Sequence, residues 1–303
     1  MNDGRIVVSG LTKQYRSVTA VDDLSFAVEP GRVTGFLGPN GAGKTTSLRM
    51  LLDLVVPTSG TATIGGRRYV DLPEPTRVVG AVLEASAAHA GRTGRNHLRA
   101  NCIAAGLPYS RADEVLDLVG LTPAADRKFK GYSLGMRQRL GIAAAMLGDP
   151  AVLVLDEPAN GLDPEGIRWM RELLRGLAAE GRTVLVSSHL LNEMQALADD
   201  VVIVAAGRLV RQGPVIDVVA SLADGDHVEV LSTEPEKLRA ALQHLGASVT
   251  TDGSGSLTVA GLTAAVIGRA AHAADVVVHQ LRTEHPDLEE VFLQLTQGKA
   301  AIR

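Results

Sequence analysis

A glycine-rich segment near residue 40 constrains the fold of this chain more than any other feature of its sequence. Residues 38–46 read Gly-Pro-Asn-Gly-Ala-Gly-Lys-Thr-Thr, which matches the spacing G-x-x-x-x-G-K-[ST]. An apolar stretch typical of a strand, Val33–Leu37, precedes the segment, and Leu48, Leu51 and Leu52 follow it at helical spacing. Strand, glycine loop and helix in this order predict a phosphate cradle, because exposed backbone N–H groups and a helix N-terminus both attract anions.

The residues of this loop have distinct chemical tasks. Lys44 can reach the β- and γ-phosphates of a nucleoside triphosphate, and the hydroxyl of Thr45 can ligate Mg²⁺. The alternative, a glycine-rich turn with a chance lysine, leaves the complete motif and its correct flanks unexplained. We therefore predict a nucleotide-binding site made of Gly38, Pro39, Asn40, Gly41, Ala42, Gly43, Lys44, Thr45 and Thr46.

A pair of carboxylates follows a second apolar strand. Val152–Leu155 has the continuous apolar character of a strand in a buried parallel sheet, and Asp156 and Glu157 come directly after it. An aspartate at this place can hold Mg²⁺, and the adjacent glutamate can polarise a water molecule for in-line attack on a γ-phosphorus. Alone, the pair would indicate two exposed acids at a strand end. The phosphate loop in the same chain favours the catalytic interpretation.

A third segment, residues 132–139, reads Tyr-Ser-Leu-Gly-Met-Arg-Gln-Arg. Taken alone, it is typical of a helix capped by Ser133. Together with the loop and the carboxylates, it resembles the signature segment of ATP-binding cassette (ABC) ATPases, in a variant form common among bacterial drug and peptide exporters. The resemblance covers roughly residues 5–215 and implies that Ser133 and Gly135 contact the γ-phosphate of ATP bound to the opposite subunit.

The resemblance implies roles for further residues. Tyr15 matches the aromatic residue that stacks on adenine, and His189 matches the switch histidine that contacts the γ-phosphate. Residues 160–163 match the loop that communicates across the dimer, and Asp163 is also a candidate N-cap for the next helix. The predicted catalytic residues are Lys44, Glu157 and His189.

Two positions depart from the common family pattern. Most members carry glutamine where this chain has Glu84, and leucine-serine-glycine-glycine-glutamine where it has residues 132–136. Both departures resemble the exporter subgroup associated with antibiotic resistance and bacteriocin self-protection. We expect Glu84 to coordinate Mg²⁺ or its water. The predicted metal ligands are Thr45, Glu84 and Asp156.

Turn and cap signals predict three local features. Residues 61–64 and 67–69 are expected to pair as a hairpin about Gly65-Gly66. Ser110 is expected to cap a helix through Val119, with Asp113 at the capping-box position, and residues 253–255 to form a turn.

The order of strands and helices predicts an α/β fold. Residues 1–220 are expected to form the ABC-type ATP-binding domain, a mixed sheet with a helical subdomain at about residues 90–148. Residues 221–303 are expected to form a small accessory domain, because their elements follow the β-α-β-β-α-β order of a ferredoxin-like α+β fold.

Composition narrows the partners and the location. The net charge is −4 and no run of five or six basic residues occurs, so a broad nucleic-acid-binding face is disfavoured. The single cysteine, Cys102, favours a reducing compartment. No apolar run approaches the ~20 residues that span a bilayer. We expect the chain to lie at the cytoplasmic face of the cell membrane, held there by a partner.

The sequence as a whole predicts the ATPase subunit of an ABC exporter, which closes as a homodimer on two Mg-ATP and drives a separately encoded membrane permease. A soluble ABC ATPase acting on ribosomes or DNA is the alternative. Such proteins usually carry two cassettes or long coiled-coil insertions, which this chain lacks. A phosphate-loop kinase or GTPase would leave residues 132–139 and His189 without a purpose. The sequence leaves open the transported substrate and, with export favoured, the direction of transport.

Overall fold

The computed structural model describes residues 4–83, 88–222, 227–251, 255–284 and 288–296. The strands are Ile6–Tyr15 (β1), Val18–Val28 (β2), Val33–Leu37 (β3), Ser59–Ile64 (β4), Val79–Val82 (β5), Val152–Asp156 (β6), Thr183–Ser188 (β7), Asp200–Ala205 (β8), Arg208–Pro214 (β9), His227–Ser232 (β10), Ser248–Thr251 (β11), Leu257–Ala260 (β12) and Val278–Glu284 (β13). The helices are Lys44–Leu51 (α1), Pro75–Val78 (α2), Gly94–Ala105 (α3), Ser110–Leu118 (α4), Leu134–Ala145 (α5), Pro164–Ala179 (α6), Leu191–Leu197 (α7), Val215–Leu222 (α8), Pro235–His244 (α9), Ala264–Ala273 (α10) and Leu288–Thr296 (α11).

The chain divides into two compact units. One contains the chain up to Val215 and again from Leu295, and the other runs from Ile216 to Gln294. The predicted domain limits of 1–220 and 221–303 remain predictions. No helix in the described part of the chain combines the length and the apolar character that a bilayer crossing requires.

The first unit is built on a six-stranded sheet in the order β5-β6-β7-β3-β8-β9. The strands from β5 to β8 are parallel, and β9 closes the edge antiparallel to β8. Every residue of β3 and β7 is buried, because both faces of a parallel sheet are covered. The predicted bounds of β3 are confirmed.

A second, three-stranded antiparallel sheet in the order β2-β1-β4 packs into the same core. One prediction fails here, because residues 67–69 do not form the second strand of a hairpin. Arg67 makes a single bridge to Ile64, and Tyr69–Asp71 is a 3₁₀ turn. The carboxylate of Asp53 explains the difference, because it accepts hydrogen bonds from the Arg68 guanidinium and from the backbone N–H of Val70.

Helices α3, α4 and α5 lie in the predicted helical subdomain. Ser133 caps α5, since its Oγ accepts a hydrogen bond of 3.2 Å from the N–H of Met136, as predicted. The cap predicted at Ser110 is wrong. Ser110 is already helical and follows Tyr109, while the carboxylate of Asp113 pairs with Arg95 instead of closing a capping box.

The second unit has a four-stranded antiparallel sheet in the order β11-β12-β10-β13, with α9 and α10 following β10 and β12 along the chain. Its own apolar core includes Val230, Leu238, Val259 and Ile267. This strand order confirms the predicted ferredoxin-like fold. The turn predicted at residues 253–255 falls largely outside the described residues.

Candidate active site

The site lies where three neighbouring strands end. Strands β6, β7 and β3 are adjacent and parallel, so their carboxyl ends meet at one edge of the sheet. The glycine loop follows β3, the acid pair falls at the end of β6, and His189 follows β7. Residues that are far apart in the sequence are thereby placed side by side.

The glycine loop is shaped by close approaches that a side chain would block. Gly43 has φ +96°, and a Cβ there would lie 2.5 Å from the carbonyl oxygen of Ala20. A Cβ at Gly38 would lie 2.5 Å from the carbonyl oxygen of Val204. The loop borders a cleft of about 280 Å³. The cleft is lined by Ala20, Asn40, Gly41, Ala42, Gly43, Lys44, Thr45, Thr46 and Glu157.

Lys44 is buried at the floor of this loop, with 7% of its surface exposed. Its Nζ donates a hydrogen bond of 2.6 Å to the carbonyl oxygen of Gly38 and one of 3.4 Å to that of Pro39. Oε1 of Glu157 lies 3.9 Å from the same Nζ. Burial lowers the pKa of Lys44, and the negative charges of Glu157 and Asp156 oppose this shift.

The acid pair is held by three side chains from other elements. Thr45 Oγ1 donates a hydrogen bond of 2.7 Å to Oδ2 of Asp156, and the Ser187 hydroxyl donates to Oδ1 of the same carboxylate. Ser187 Oγ also accepts a hydrogen bond of 3.0 Å from the N–H of Glu157. On the other side, Nδ1 of His189 lies 2.8 Å from Oε2 of Glu157. Both carboxylates are therefore oriented by the protein.

Sequence reasoning missed Ser187. It is fully buried and bridges Asp156 to the backbone of Glu157. In the sequence it is one of two adjacent serines before His189, and nothing there distinguishes it from Ser188. Its neighbour on the same strand, Ser188, instead accepts a hydrogen bond of 2.9 Å from the N–H of Leu190.

Not all predicted site residues lie at this cleft. Among the described residues, the lining of the cleft leaves out Asp156 and His189, which contact it through Thr45 and Glu157. It also leaves out Tyr15, Ser133, Gly135 and Asp163. Ser133 is exposed at the start of α5, and Asp163 caps α6 by accepting a hydrogen bond of 2.7 Å from the N–H of Gly166. Tyr15 is 47% exposed at the end of β1, with the Lys13 ammonium 4.9 Å from its ring centre. Glu84 lies outside the described residues.

Comparisons with known proteins identify the family of the chain. Residues 21–160 match the family described as ABC transporter, and residues 226–289 match one described as a domain of unknown function. The daunorubicin resistance ATP-binding protein DrrA3 of Streptomyces coeruleorubidus is 35% identical over 100% of this chain and 99% of its own length. The bacitracin transport ATP-binding protein BcrA of Bacillus licheniformis is 45% identical over 69% of each chain. A solved structure described as an ATP-binding subunit of an ABC transporter superposes with a TM-score of 0.65 and 28% identity, covering 71% of this chain and 92% of that one.

These features define a phosphate-loop ATPase: at one sheet edge lie a phosphate-binding loop, a carboxylate held against the loop threonine, and a glutamate beside a histidine. Within that class, the chain belongs to the ATP-binding subunits of ABC transporters. It binds ATP and hydrolyses it, as members of this family do, and the soluble alternative acting on ribosomes or DNA is not favoured.

Proposed function

We propose that this chain is the motor of an exporter for drugs or peptides, and that it closes as a head-to-tail homodimer on two Mg-ATP to move a separately encoded permease. One structural relationship carries the proposal. Lys44, Thr45, Asp156, Glu157 and His189 are joined by direct contacts at one sheet edge, whereas Ser133 and Gly135 do not line the cleft beside them. The names of BcrA and DrrA3, which refer to bacitracin transport and daunorubicin resistance, support antibiotics as the transported class.

Within one subunit, the phosphates of ATP are bound by the backbone N–H groups of the glycine loop and by Lys44, which turns from the carbonyl of Gly38. Thr45 and Asp156 fit a Mg²⁺ ion, because a hydroxyl and a carboxylate already meet at 2.7 Å beside the loop. The ion would be held by these two side chains and would neutralise phosphate charge there. Glu84 remains a proposed further ligand on the basis of resemblance.

Glu157 is proposed as the general base. Its carboxylate lies beside Nδ1 of His189 and near Nζ of Lys44, so it lies between the two groups proposed to contact the γ-phosphate. A water molecule between Glu157 and that phosphate would lose its proton to the carboxylate as it attacks. His189 orients the carboxylate and donates to the phosphate oxygens.

Completion of each site is proposed to require the second copy of the chain. Ser133 is an exposed hydroxyl at the N-terminus of α5, a twelve-residue helix, and Gly135 presents a backbone N–H in its first turn. Such a helix start suits the γ-phosphate bound by the partner subunit. Tyr15 is proposed to stack on adenine. Closure of the dimer on ATP then changes the shape presented to the permease at the cytoplasmic face of the membrane.

The membrane partner is the feature that separates this function from the soluble alternative. The tagged full chain is expressed in its own host, extracted in mild detergent and purified, with Lys44→Ala as the nucleotide-binding control. We expect a membrane protein with six apolar segments of about 20 residues to accompany the chain. We also expect Lys44→Ala to retain this partner but lose ATPase activity. Recovery of the chain with ribosomes or DNA and without a membrane protein would contradict the proposal.

A further inference from the structure

Gln138 connects α5 directly to the backbone around the catalytic glutamate. Its side chain is buried, with 7% of its surface exposed. Nε2 donates a hydrogen bond of 3.3 Å to the carbonyl oxygen of Glu157 and one of 3.2 Å to that of Asn160. Both N–H bonds of the amide are therefore committed to a single loop, and a buried amide held in this way fixes the groups that it contacts.

The backbone of Glu157 needs such support. Its φ is +51°, in the left-handed region that residues other than glycine seldom occupy. Its N–H is held by Ser187, whose Oγ lies at 3.0 Å and whose carbonyl oxygen lies at 3.2 Å. Its carbonyl is held by Gln138. Strand β7 thus fixes one side of the residue and helix α5 fixes the other, and a strained conformation persists only when its surroundings over-determine it.

The first turn of α5 also packs on the same loop. A Cβ at Gly135 would lie 3.5 Å from the carbonyl oxygen of Gly161 and 3.5 Å from Cδ2 of Leu162, and the side chain of Leu134 covers the position of a Cβ at Gly161. Contacts from residues 134, 135 and 138 therefore bind the start of α5 to the loop of residues 157–162. A displacement of the start of α5 therefore displaces the loop, and a displacement of the loop displaces the helix.

We propose that Gln138 is a positioning residue that couples the two ATP sites of the dimer. The inference rests on the proposed function, in which Ser133 and Gly135 of one subunit contact the nucleotide of its partner while Glu157 of that subunit acts on its own nucleotide. Because Gln138 joins these two parts of the chain, engagement of the partner's γ-phosphate sets the position of the glutamate at the other site. Hydrolysis at one site thereby depends on ATP at both.

The test measures ATPase rate against ATP concentration for the purified full chain and its variants. Gln138→Met keeps the length and apolar volume of the side chain but removes the donor. Gln138→His keeps a donor at a similar reach. Arg139→Met is the matched control, because Arg139 lies on the same helix and also donates to a backbone carbonyl, that of Val119 at 3.1 Å, but does not contact the loop through that bond.

We expect Gln138→Met to lower kcat roughly ten-fold and to reduce the Hill coefficient for ATP from its wild-type value to about 1, with ATP binding to the separate subunits unchanged. Gln138→His should recover part of both losses, and Arg139→Met should leave the Hill coefficient as in the wild type. Should Gln138→Met fold poorly, Gln138→Leu, which also removes the donor and stays apolar, replaces it.

Wild-type kcat and cooperativity in the Gln138 variants would overturn the inference, and so would an equal loss in Arg139→Met, which would mean a structural role only. Failure of the proposed function would give a different result. In that case the Gly135→Asp variant would have the same ATPase activity as the wild type.

Discussion

Nδ1 of His189 lies 2.8 Å from Oε2 of Glu157, although 32 positions separate the two residues in the sequence. The register of β6 and β7 explains the contact. Asp156 pairs with Ser187 across the two parallel strands, so the residues that follow each strand meet at the same edge. The direction of the Glu157 carboxylate is therefore determined by the pairing of β6 with β7 and by two side chains, His189 and Lys44, that lie beside it.

The proposed role of Glu157 as general base predicts a large and selective loss of hydrolysis. Glu157→Gln keeps the shape of the side chain but removes the base, so the ATPase rate should fall roughly 10²–10⁴-fold while ATP binding persists. Glu165→Gln, at an exposed acid in the first turn of α6, is the matched control. Turnover in Glu157→Gln at the level of this control would remove Glu157 from the role.

The shared hydroxyl of Ser187 predicts an effect on catalysis that exceeds its effect on folding. Ser187→Ala removes the donor to Asp156 and the acceptor for the N–H of Glu157, so kcat should fall roughly ten-fold with little change in ATP affinity. Thr183→Val is the control. It removes another buried hydroxyl of β7, which donates a hydrogen bond of 2.8 Å to the carbonyl oxygen of Gly4. If both variants lowered kcat equally, the assignment of Ser187 to the site would be wrong.

Much of the fold could be predicted from the sequence, because runs of apolar residues indicate buried strands and glycines between them indicate turns. The predicted bounds of β3 are correct to the residue, and the Asp163 and Ser133 caps form as expected. The failures have physical causes. The hairpin after Ile64 does not form because the Asp53 carboxylate, from an earlier segment, binds Arg68 and the N–H of Val70. Ser110 is not a cap because the backbone is already helical at Tyr109, and Asp113, the other half of the capping box, pairs with Arg95.

The candidate site could be predicted where a residue belongs to a sequence motif with a known chemical role, as Lys44 and Glu157 do. It is not predictable where a residue acts by tertiary contact. Ser187 and Gln138 are an ordinary serine and an ordinary glutamine in the sequence. Their importance comes from strand register and helix placement, which bring one to the N–H and the other to the carbonyl of Glu157.

The glycine loop predicts unequal costs for two similar substitutions. Gly41 and Gly43 both have positive φ, so alanine at either position is strained by about 1–2 kcal/mol. A Cβ at Gly41 meets nothing within 4 Å, whereas one at Gly43 would overlap the carbonyl of Ala20. Gly43→Ala should therefore lose roughly 1–3 kcal/mol more in urea unfolding and also lose ATP binding. Equal unfolding midpoints for the two variants would contradict the close approach of Gly43 to the Ala20 carbonyl.

His97 predicts acid sensitivity of the helical subdomain. Burial, aided by the positive charge of Arg92, holds the pKa of His97 below its ordinary value of 6.5. Its Nδ1 is buried and has no hydrogen-bond partner among the described residues. The unfolded chain therefore binds a proton before the folded chain does, and stability falls as the pH drops below 6.5 towards the folded pKa.

His97→Gln should remove this part of the acid sensitivity. The check is the urea unfolding midpoint of the wild type and of His97→Gln at about pH 7.5 and about pH 5.5. We expect the wild type to lose more stability between the two conditions than the variant does. Parallel losses would mean that His97 does not contribute.

The composite site is tested most directly by the solution mass of Glu157→Gln in saturating Mg-ATP, determined by analytical ultracentrifugation. We expect the 31.7 kDa chain to form a species of twice its mass, because ATP that is bound but not hydrolysed holds the dimer closed. Adding Gly135→Asp to the same chain places a carboxylate against the partner's γ-phosphate and should return the mass to that of one chain. A Glu157→Gln chain that stays at 31.7 kDa while binding ATP, or a dimer that survives Gly135→Asp, would contradict the composite site.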